Sequence, residues 1–208
     1  MIKNIIWDFD GTLFDTYPPI AHAIQKGLKA LGQTLPLDDI LSLCKISMTH
    51  CMQTLADQTG LSFADIEAQF DQQYTAIPME EQQPYPGVKE VLHKITELGG
   101  KNIIITHRGS TTLHKLLAAY HLDAYFSGFI TADDGFPRKP NPAAFFAALQ
   151  SYQLNPAETL GIGDRALDIE AARGAGLKTV FFGQPPEELQ VDLAITDYIT
   201  LLHQFDAI

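Results

Sequence analysis

Residues 2–13 read IKNIIWDFDGTL, and this stretch decides the fold because it joins an apolar run to an acidic turn. The run Ile2–Phe9 is short and rich in β-forming residues, which is typical of a strand buried in a parallel sheet. Strand alternation sends Asp8 and Asp10 to the same side, and Gly11 lets the backbone turn sharply after them. We therefore expect a buried first strand that ends in two neighbouring carboxylates.

Four further apolar runs follow in the second half of the chain, and patterns typical of helices separate them. The runs are Asn102–Thr106, Tyr125–Thr131, Thr159–Ile162 and Lys178–Phe182, with helices expected at about 87–98, 109–120, 142–152 and 165–174. Ser110 and Thr111 are candidate caps of the second of these helices. Because strands that alternate with helices form parallel sheets, the sequence predicts an α/β fold with a Rossmann-like core.

Residues 16–84 follow a different pattern, in which apolar residues recur at helical spacing and no strand pattern intervenes. The three apolar stripes are Ile20, Ile24, Leu28 and Leu31; Met48, Cys51, Met52 and Leu55; and Phe63, Ile66, Phe70 and Tyr74. This segment is expected to be a helical insert after strand 1. Such an insert would lie over the crevice where open α/β sheets bind ligands.

The chain of 208 residues has 14 basic and 25 acidic residues, a formal net charge of −11. Because such a surface repels phosphate backbones and anionic lipid, we expect no nucleic-acid partner and no membrane partner. The start, Met1–Asp8, is too short an apolar run for a signal peptide, and we expect a cytoplasmic protein. Cys44 and Cys51 fall in one expected helical stretch, which excludes a disulfide scaffold and a cysteine-rich metal site.

A second acidic element ends the fourth run, where Asp164 lies at the strand tip and Asp168 one helical turn further on. Together with Asp8, these carboxylates predict an oxygen-ligated Mg²⁺ site. Asp8 and Asp10 repel each other, so one can be nucleophile or metal ligand while its neighbour works as acid and base. An isolated Asp-x-Asp-Gly is also compatible with a solvated turn, and Asp164 alone with a helix cap.

Two other side chains are candidates for phosphate binding. Thr106 ends the second run beside a helix N-terminus, which suits a donor to a phosphate oxygen. Lys139 stands between Arg138 and Pro140, where two prolines fix the backbone around one ammonium group. Each is also compatible with an ordinary role, as a strand-terminal threonine and a solvated loop lysine.

In this order and spacing the four elements resemble the haloacid dehalogenase superfamily, and within it the capped branch with phosphoglycolate phosphatase-like enzymes and β-phosphoglucomutase. The resemblance covers nearly the whole chain. It implies that residues 1–15 and 85–208 form the catalytic core and that residues 16–84 are a helical cap domain of the C1 type.

The resemblance also implies roles for the carboxylates. Asp8 would attack phosphorus and form an aspartyl-phosphate, and Asp10 would protonate the leaving oxygen and then deprotonate the hydrolytic water. The cofactor Mg²⁺ would be held by Asp8, by the Asp10 backbone carbonyl and by Asp164. Asp168 would be a further ligand or a partner of one.

The phosphoryl oxygens would lie against Thr106, Lys139 and backbone N–H groups after Asp8 and Thr106. His107 stands where many relatives have Asn, and it enters this phosphate-binding set through its backbone. Its imidazole either orients the substrate or is structural or exposed.

Several cations near the motifs are candidates for substrate specificity. Arg108, Arg138 and Arg165 each flank a motif and would add positive potential at the mouth of the site. Their alternative role is in salt bridges to Asp133, Asp134 or Asp168. Lys45 falls where relatives carry a specificity loop, so it either meets a distal group of the substrate or is solvated.

We expect a Mg²⁺-dependent phosphatase that acts, as monomer or homodimer, on a small phosphorylated metabolite of the phosphoglycolate or sugar-phosphate class. Asp10 favours phosphoryl transfer over dehalogenation, because a halide leaves without a proton. A phosphomutase shares the first half of the chemistry. A non-catalytic sensor of a phosphorylated ligand is the alternative from another class, although a sensor does not need Asp10.

Overall fold

A parallel β-sheet forms the centre of the protein, whose computed structural model describes residues 2–205. Within these residues the strands are β1 Asn4–Trp7, β2 Asn102–Ile105, β3 Phe126–Ile130, β4 Thr159–Gly163, β5 Lys178–Phe182 and β6 Leu193–Ile195. They form one sheet in the order β3-β2-β1-β4-β5-β6, and every neighbouring pair is parallel. The predicted α/β fold with a parallel sheet is confirmed.

The helices belong to two compact units. In chain order they are α1 Tyr17–Ala30, α2 Leu37–Ile46, α3 Met48–Thr59, α4 Phe63–Tyr74, α5 Val88–Glu97, α6 Ser110–Ala119, α7 Ala143–Ser151, α8 Ala166–Gly174 and α9 Tyr198–Gln204. The helical unit, Asp15–Gln83, contains α1 to α4, and the sheet unit contains all other elements. None of the helices in the described part of the chain has the length and apolar content needed to cross a bilayer.

The central strands of the sheet are apolar and buried. Every residue of β1 and of β2 is buried, and on one side Ile6 and Ile103 share a core with Phe145 of α7. Gly161 in β4 allows α8 to approach closely, because a Cβ there would lie 2.4 Å from Cβ of Ala172. This close approach packs the C-terminal part of α8 directly against β4.

The last strand, β6, and the last helix, α9, were not among the elements predicted from the sequence. β6 has three residues, of which only Ile195 is buried. The helix α9 is anchored by Tyr198, whose ring stacks on Phe182 and contacts Trp7 of β1. Leu201 and the following Phe205 are also buried, so a short apolar stripe at helical spacing fixes α9 to the sheet unit.

The predicted caps of α6, Ser110 and Thr111, are wrong. Gly109 is the N-cap residue and supplies no side chain. Instead, the Ser110 N–H donates to a carboxylate oxygen of Asp133 at 2.8 Å. An acidic side chain from the loop after β3 therefore satisfies a free N–H group at this helix end.

The helical unit packs the apolar stripes of α1, α3 and α4 into one core. The expectation that Cys44 and Cys51 share one helical stretch is wrong, because Ser47 separates α2 from α3. Its backbone is extended, and its hydroxyl accepts the His50 N–H at 3.1 Å. The two buried thiols consequently meet across a helix junction, with their Sγ atoms 3.8 Å apart.

Candidate active site

The end of β1 presents the two aspartates of the first motif. The Asp8 N–H donates to the Ile162 carbonyl at 2.8 Å, which continues the ladder to β4 and buries the Asp8 side chain. Gly11 has a φ of 79° and permits the tight turn in which the Leu13 N–H reaches the Phe9 carbonyl at 2.9 Å. This turn leaves the Asp10 side chain 21% exposed, whereas that of Asp8 is 1% exposed.

Three carboxylates meet where β1 and β4 end. Asp8, Asp164 and Asp168 each offer an oxygen, and these oxygens lie within 4.8 Å of one another. Gly163 is required for this approach, because a Cβ there would lie 2.3 Å from Cβ of Asp168. The Thr12 hydroxyl donates to Asp164 at 3.0 Å, and no local sequence pattern indicates this contact because the two residues are 152 positions apart.

Burial and mutual repulsion shift the pKa values of these carboxyls. Burial, with the charges of Asp8 and Asp168, raises the pKa of Asp164 to about 8. Burial and the Asp168 charge likewise raise the pKa of Asp8. Burial also favours the protonated form of Asp168, but the Lys139 and Arg165 charges outweigh it and lower the pKa of that carboxyl. The cluster therefore holds more negative charge than its buried position favours.

Lys139 is the buried cation of this cluster. Its ammonium lies 2.5 Å from an oxygen of Asp8 and 2.5 Å from an oxygen of Asp168, and it donates to the Ile105 carbonyl at 3.1 Å. Only 2% of the side chain is exposed. Although burial alone lowers the pKa of Lys139, the Asp168 and Asp8 charges raise it above its ordinary value. Lys139 is therefore a fixed positive charge beside Asp8.

Thr106 and His107 follow β2 and lie next to Lys139. The Thr106 side chain is buried, and its hydroxyl accepts the Arg108 N–H at 3.0 Å. His107 Nε2 accepts the Lys139 main-chain N–H at 3.0 Å. Burial, followed by the nearby Lys139 charge, lowers the pKa of His107 to about 3, so the imidazole is neutral. This ring nitrogen therefore supports the Lys139 loop.

The candidate specificity cations occupy different surroundings. Arg108 is buried and pairs with Asp10, at 2.5 Å from Nη2 to Oδ1. Arg165 pairs with Asp168 at 3.3 Å, as the salt-bridge alternative predicts, and its Nη2 also lies 3.6 Å from Asp8. Arg138 is exposed in the loop before Lys139, and Lys45 is exposed in the last turn of α2 in the helical unit.

One supporting residue escaped sequence analysis altogether. The buried Tyr198 hydroxyl of α9 donates to the Thr12 carbonyl at 2.7 Å. Through this bond α9 holds the turn that carries the Thr12 hydroxyl to Asp164. The two residues are 186 positions apart, and no local pattern links them.

The donor set of the carboxylate cluster fits a divalent cation. Three buried or half-buried carboxylates with one hydroxyl among them supply the hard oxygen ligands that Mg²⁺ requires. Burial and the neighbouring carboxylates raise the pKa values of Asp8 and Asp164, and a bound cation would favour their ionised forms. The cluster can hold a cation, and Lys139 can meet an anion beside it.

Comparisons with known proteins identify relatives across most of the chain. The family model described as haloacid dehalogenase-like hydrolase matches residues 5–182. A phosphoglycolate phosphatase of Nitrosospira multiformis is 32% identical over 84% of this chain and 80% of that protein. A phosphoglycolate phosphatase of Thiobacillus denitrificans is 30% identical over 93% of this chain and 91% of that protein.

A solved structure agrees with the family match. The crystal structure of a hydrolase from Pseudomonas syringae superposes with a TM-score of 0.79 at 27% identity, and it covers 99% of both chains. The family expected from the motifs is confirmed.

Proposed function

The chain belongs to the haloacid dehalogenase-like hydrolases, and we propose that it is a Mg²⁺-dependent phosphatase that hydrolyses a small phosphate monoester through an aspartyl-phosphate. The observation that carries the proposal is the arrangement at the end of β1. There the Asp8 carboxylate contacts the Lys139 ammonium and belongs to the carboxylate cluster with Asp164 and Asp168. A nucleophile, a cation for the phosphoryl group and a metal-binding donor set therefore share one edge of the sheet.

The first half of the proposed reaction is an attack by a carboxylate oxygen of Asp8 on phosphorus. A bond forms between this oxygen and phosphorus, the ester oxygen leaves, and Asp10 gives it a proton. The Thr106 hydroxyl and the Lys139 ammonium hold the phosphoryl oxygens and offset their charge. Held by Asp8, Asp164 and the Asp10 carbonyl, Mg²⁺ would stabilise the negative charge that develops on the phosphoryl group.

The second half releases phosphate. A water molecule attacks phosphorus, Asp10 takes a proton from it, and the bond between phosphorus and the Asp8 oxygen breaks. Asp8 is then free for another cycle, so water is the overall acceptor of the phosphoryl group. The names of the relatives favour phosphoglycolate as the ester, with sugar phosphates next. The helical unit 15–83 follows the Asp8 turn directly in the chain and is proposed to be the cap that selects the ester.

The test is phosphate release from phosphoglycolate, several sugar phosphates and p-nitrophenyl phosphate, with Mg²⁺ and with EDTA. Asp8→Asn removes the nucleophile and is expected to abolish turnover. The matched control is Asp123→Asn, because Asp123 is an exposed carboxylate that precedes β3 at the opposite edge of the sheet. Turnover that survives EDTA or Asp8→Asn contradicts the proposed mechanism.

Two other outcomes would identify the alternative functions. Exchange of phosphate between sugar positions with little free phosphate indicates a phosphomutase. Binding of esters without any turnover, by folded protein saturated with Mg²⁺, indicates a sensor. A cytoplasmic location and a monomeric or homodimeric state stay predictions.

A further inference from the structure

We propose that Arg108 is a positioning residue that holds the Asp10 carboxylate in place for proton transfer. The inference rests on the proposed function, in which Asp10 is the general acid and base. It assigns Arg108 neither to the substrate nor to the mouth of the site. The proposal rests on one contact, in which two nitrogens of the buried Arg108 guanidinium donate to the Asp10 carboxylate.

The contact between the two side chains is a fork. Arg108 Nε lies 3.1 Å and 3.2 Å from the two carboxylate oxygens of Asp10, and Nη2 lies 2.5 Å from Oδ1. Two nitrogens on one carboxylate fix its rotation as well as its position, which a single point charge cannot do. A free aspartate on a turn would rotate about both of its side-chain torsions.

The Arg108 guanidinium also packs against an aromatic ring. Its central carbon lies 5.2 Å from the centre of the Phe9 ring, and 3% of the Arg108 side chain is exposed. A cation over an aromatic ring gains a further electrostatic contact. The Arg108 side chain therefore has little freedom to swing toward solvent or toward a distal group of a substrate.

The backbone of Arg108 is fixed on both sides. Its N–H donates to the Thr106 hydroxyl at 3.0 Å, and its carbonyl accepts the Ala132 N–H at 3.1 Å. Arg108 therefore links the proposed phosphate-binding hydroxyl after β2 to the proposed acid after β1. In the proposed reaction the Thr106 hydroxyl holds the phosphoryl group and Asp10 protonates the leaving oxygen of the same ester. Proton transfer therefore requires a fixed distance between these two side chains.

The leaving group of the ester separates a positioning role from a structural one. An alkoxide leaves only with a proton, whereas p-nitrophenolate leaves readily without one. Arg108→Ala is therefore expected to lower kcat/KM for the preferred alkyl ester by about 10²-fold, and to leave kcat/KM for p-nitrophenyl phosphate within a few-fold. An equal loss on both esters means that Arg108 merely supports the fold, and it overturns the proposal.

Arg108→Lys tests the fork against the charge alone. Lysine keeps the positive charge but has no planar pair of donor nitrogens, so a selective loss on the alkyl ester is expected to remain. Full rescue by lysine overturns the proposal. If Arg108→Ala does not melt cooperatively, the two esters are compared with Arg108→Lys instead. The control is Arg173→Ala, since Arg173 is exposed and donates to the Gln190 carbonyl at 2.8 Å, and unchanged kinetics are expected.

A double-mutant cycle with Asp10→Asn shows whether Arg108 acts through Asp10. Once Asp10 is changed, Arg108→Ala is expected to cause no further loss on the alkyl ester. The same fold-loss in both backgrounds overturns the proposal. Failure of the proposed function has a different signature, an inactive wild type or an active Asp8→Asn variant, and the assignment of Arg108 falls with it.

Discussion

Replacement of Lys139 by methionine tests how much the buried cation stabilises the sheet unit. The Lys139 ammonium lies 2.5 Å from both Asp8 and Asp168, and its side chain is 2% exposed. Methionine fills a similar volume but leaves two buried carboxylates without this cation. Removal of one partner from a buried ion pair costs about 3–5 kcal/mol, and for a chain of this size the Tm falls by about 2–4 °C per kcal/mol.

An exposed pair in the same unit is the matched control. Lys3 and Glu158 lie 2.9 Å apart, but their side chains are 50% and 35% exposed. Because solvent screens such a pair, Lys3→Met is expected to cost about 0–1 kcal/mol. Both variants are measured by scanning calorimetry in EDTA, and the two melting temperatures are compared with that of the wild type.

The pH dependence gives the sign of the effect. In the wild type Lys139 lowers the pKa of Asp168, so this ion pair stabilises the folded state above about pH 4 and is lost on acidification. In the variant, Arg165 is the remaining cation beside Asp8 and Asp168 and offsets their burial only in part, so both carboxyls can take up protons as the pH falls. The deficit of Lys139→Met is therefore expected to be largest near pH 8 and to shrink toward about pH 5. A deficit no larger than that of Lys3→Met, or one independent of pH, would refute this reasoning.

Three further substitutions test the surroundings of the cluster. Burial and the neighbouring carboxylates raise the pKa of Asp164 to about 8, so the metal-free protein should lose stability as the pH rises from about 4 to 8. Asp164→Asn should flatten that slope in thermal melts and raise the Mg²⁺ concentration needed for half-maximal turnover. Gly163→Ala places a Cβ 2.3 Å from Cβ of Asp168. It should lower the free energy of unfolding by about 1–3 kcal/mol and lower kcat/KM about 10²-fold. Wild-type stability and turnover would contradict the packing argument. His107→Ala should lower the free energy of unfolding by about 0.5–1.5 kcal/mol, because the hydrogen bond from the Lys139 N–H is lost. Since the pKa of His107 is about 3, the pH profile of turnover should stay unchanged between about pH 5 and 8.

The sequence is most informative where burial is continuous. β5 coincides with its predicted run, Lys178–Phe182, and the other predicted runs lie within one or two residues of β1 to β4. β1, β2 and β4 are buried at every position, which is typical of strands covered on both faces of a parallel sheet. The edge strand β6 buries only Ile195 among its three residues, and such a segment has no periodicity to detect.

The positions of the site residues follow from the same rule. The carboxyl ends of parallel strands meet at one edge, which is why Asp8, Thr106 and Asp164 could be expected near one another. Their partners could not be predicted, because contacts such as Arg108 with Asp10 join loops 98 residues apart. The salt bridges predicted from the sequence paired each arginine with an acid nearby in the chain. For Arg108 this prediction is wrong, because its partner is the distant Asp10.

The pairing of charges at this edge explains where a divalent cation would act most strongly. Arg108 pairs with Asp10, Arg165 with Asp168, and Lys139 with both Asp8 and Asp168. Asp164 differs from these acids, because the hydrogen bond that it accepts comes from the neutral Thr12 hydroxyl. Its pKa of about 8 expresses this deficit, since burial and the nearby carboxylates are offset only in part by Arg165. A divalent cation would bind the ionised form of Asp164, and for this reason we expect metal binding and the ionisation of Asp164 to be coupled.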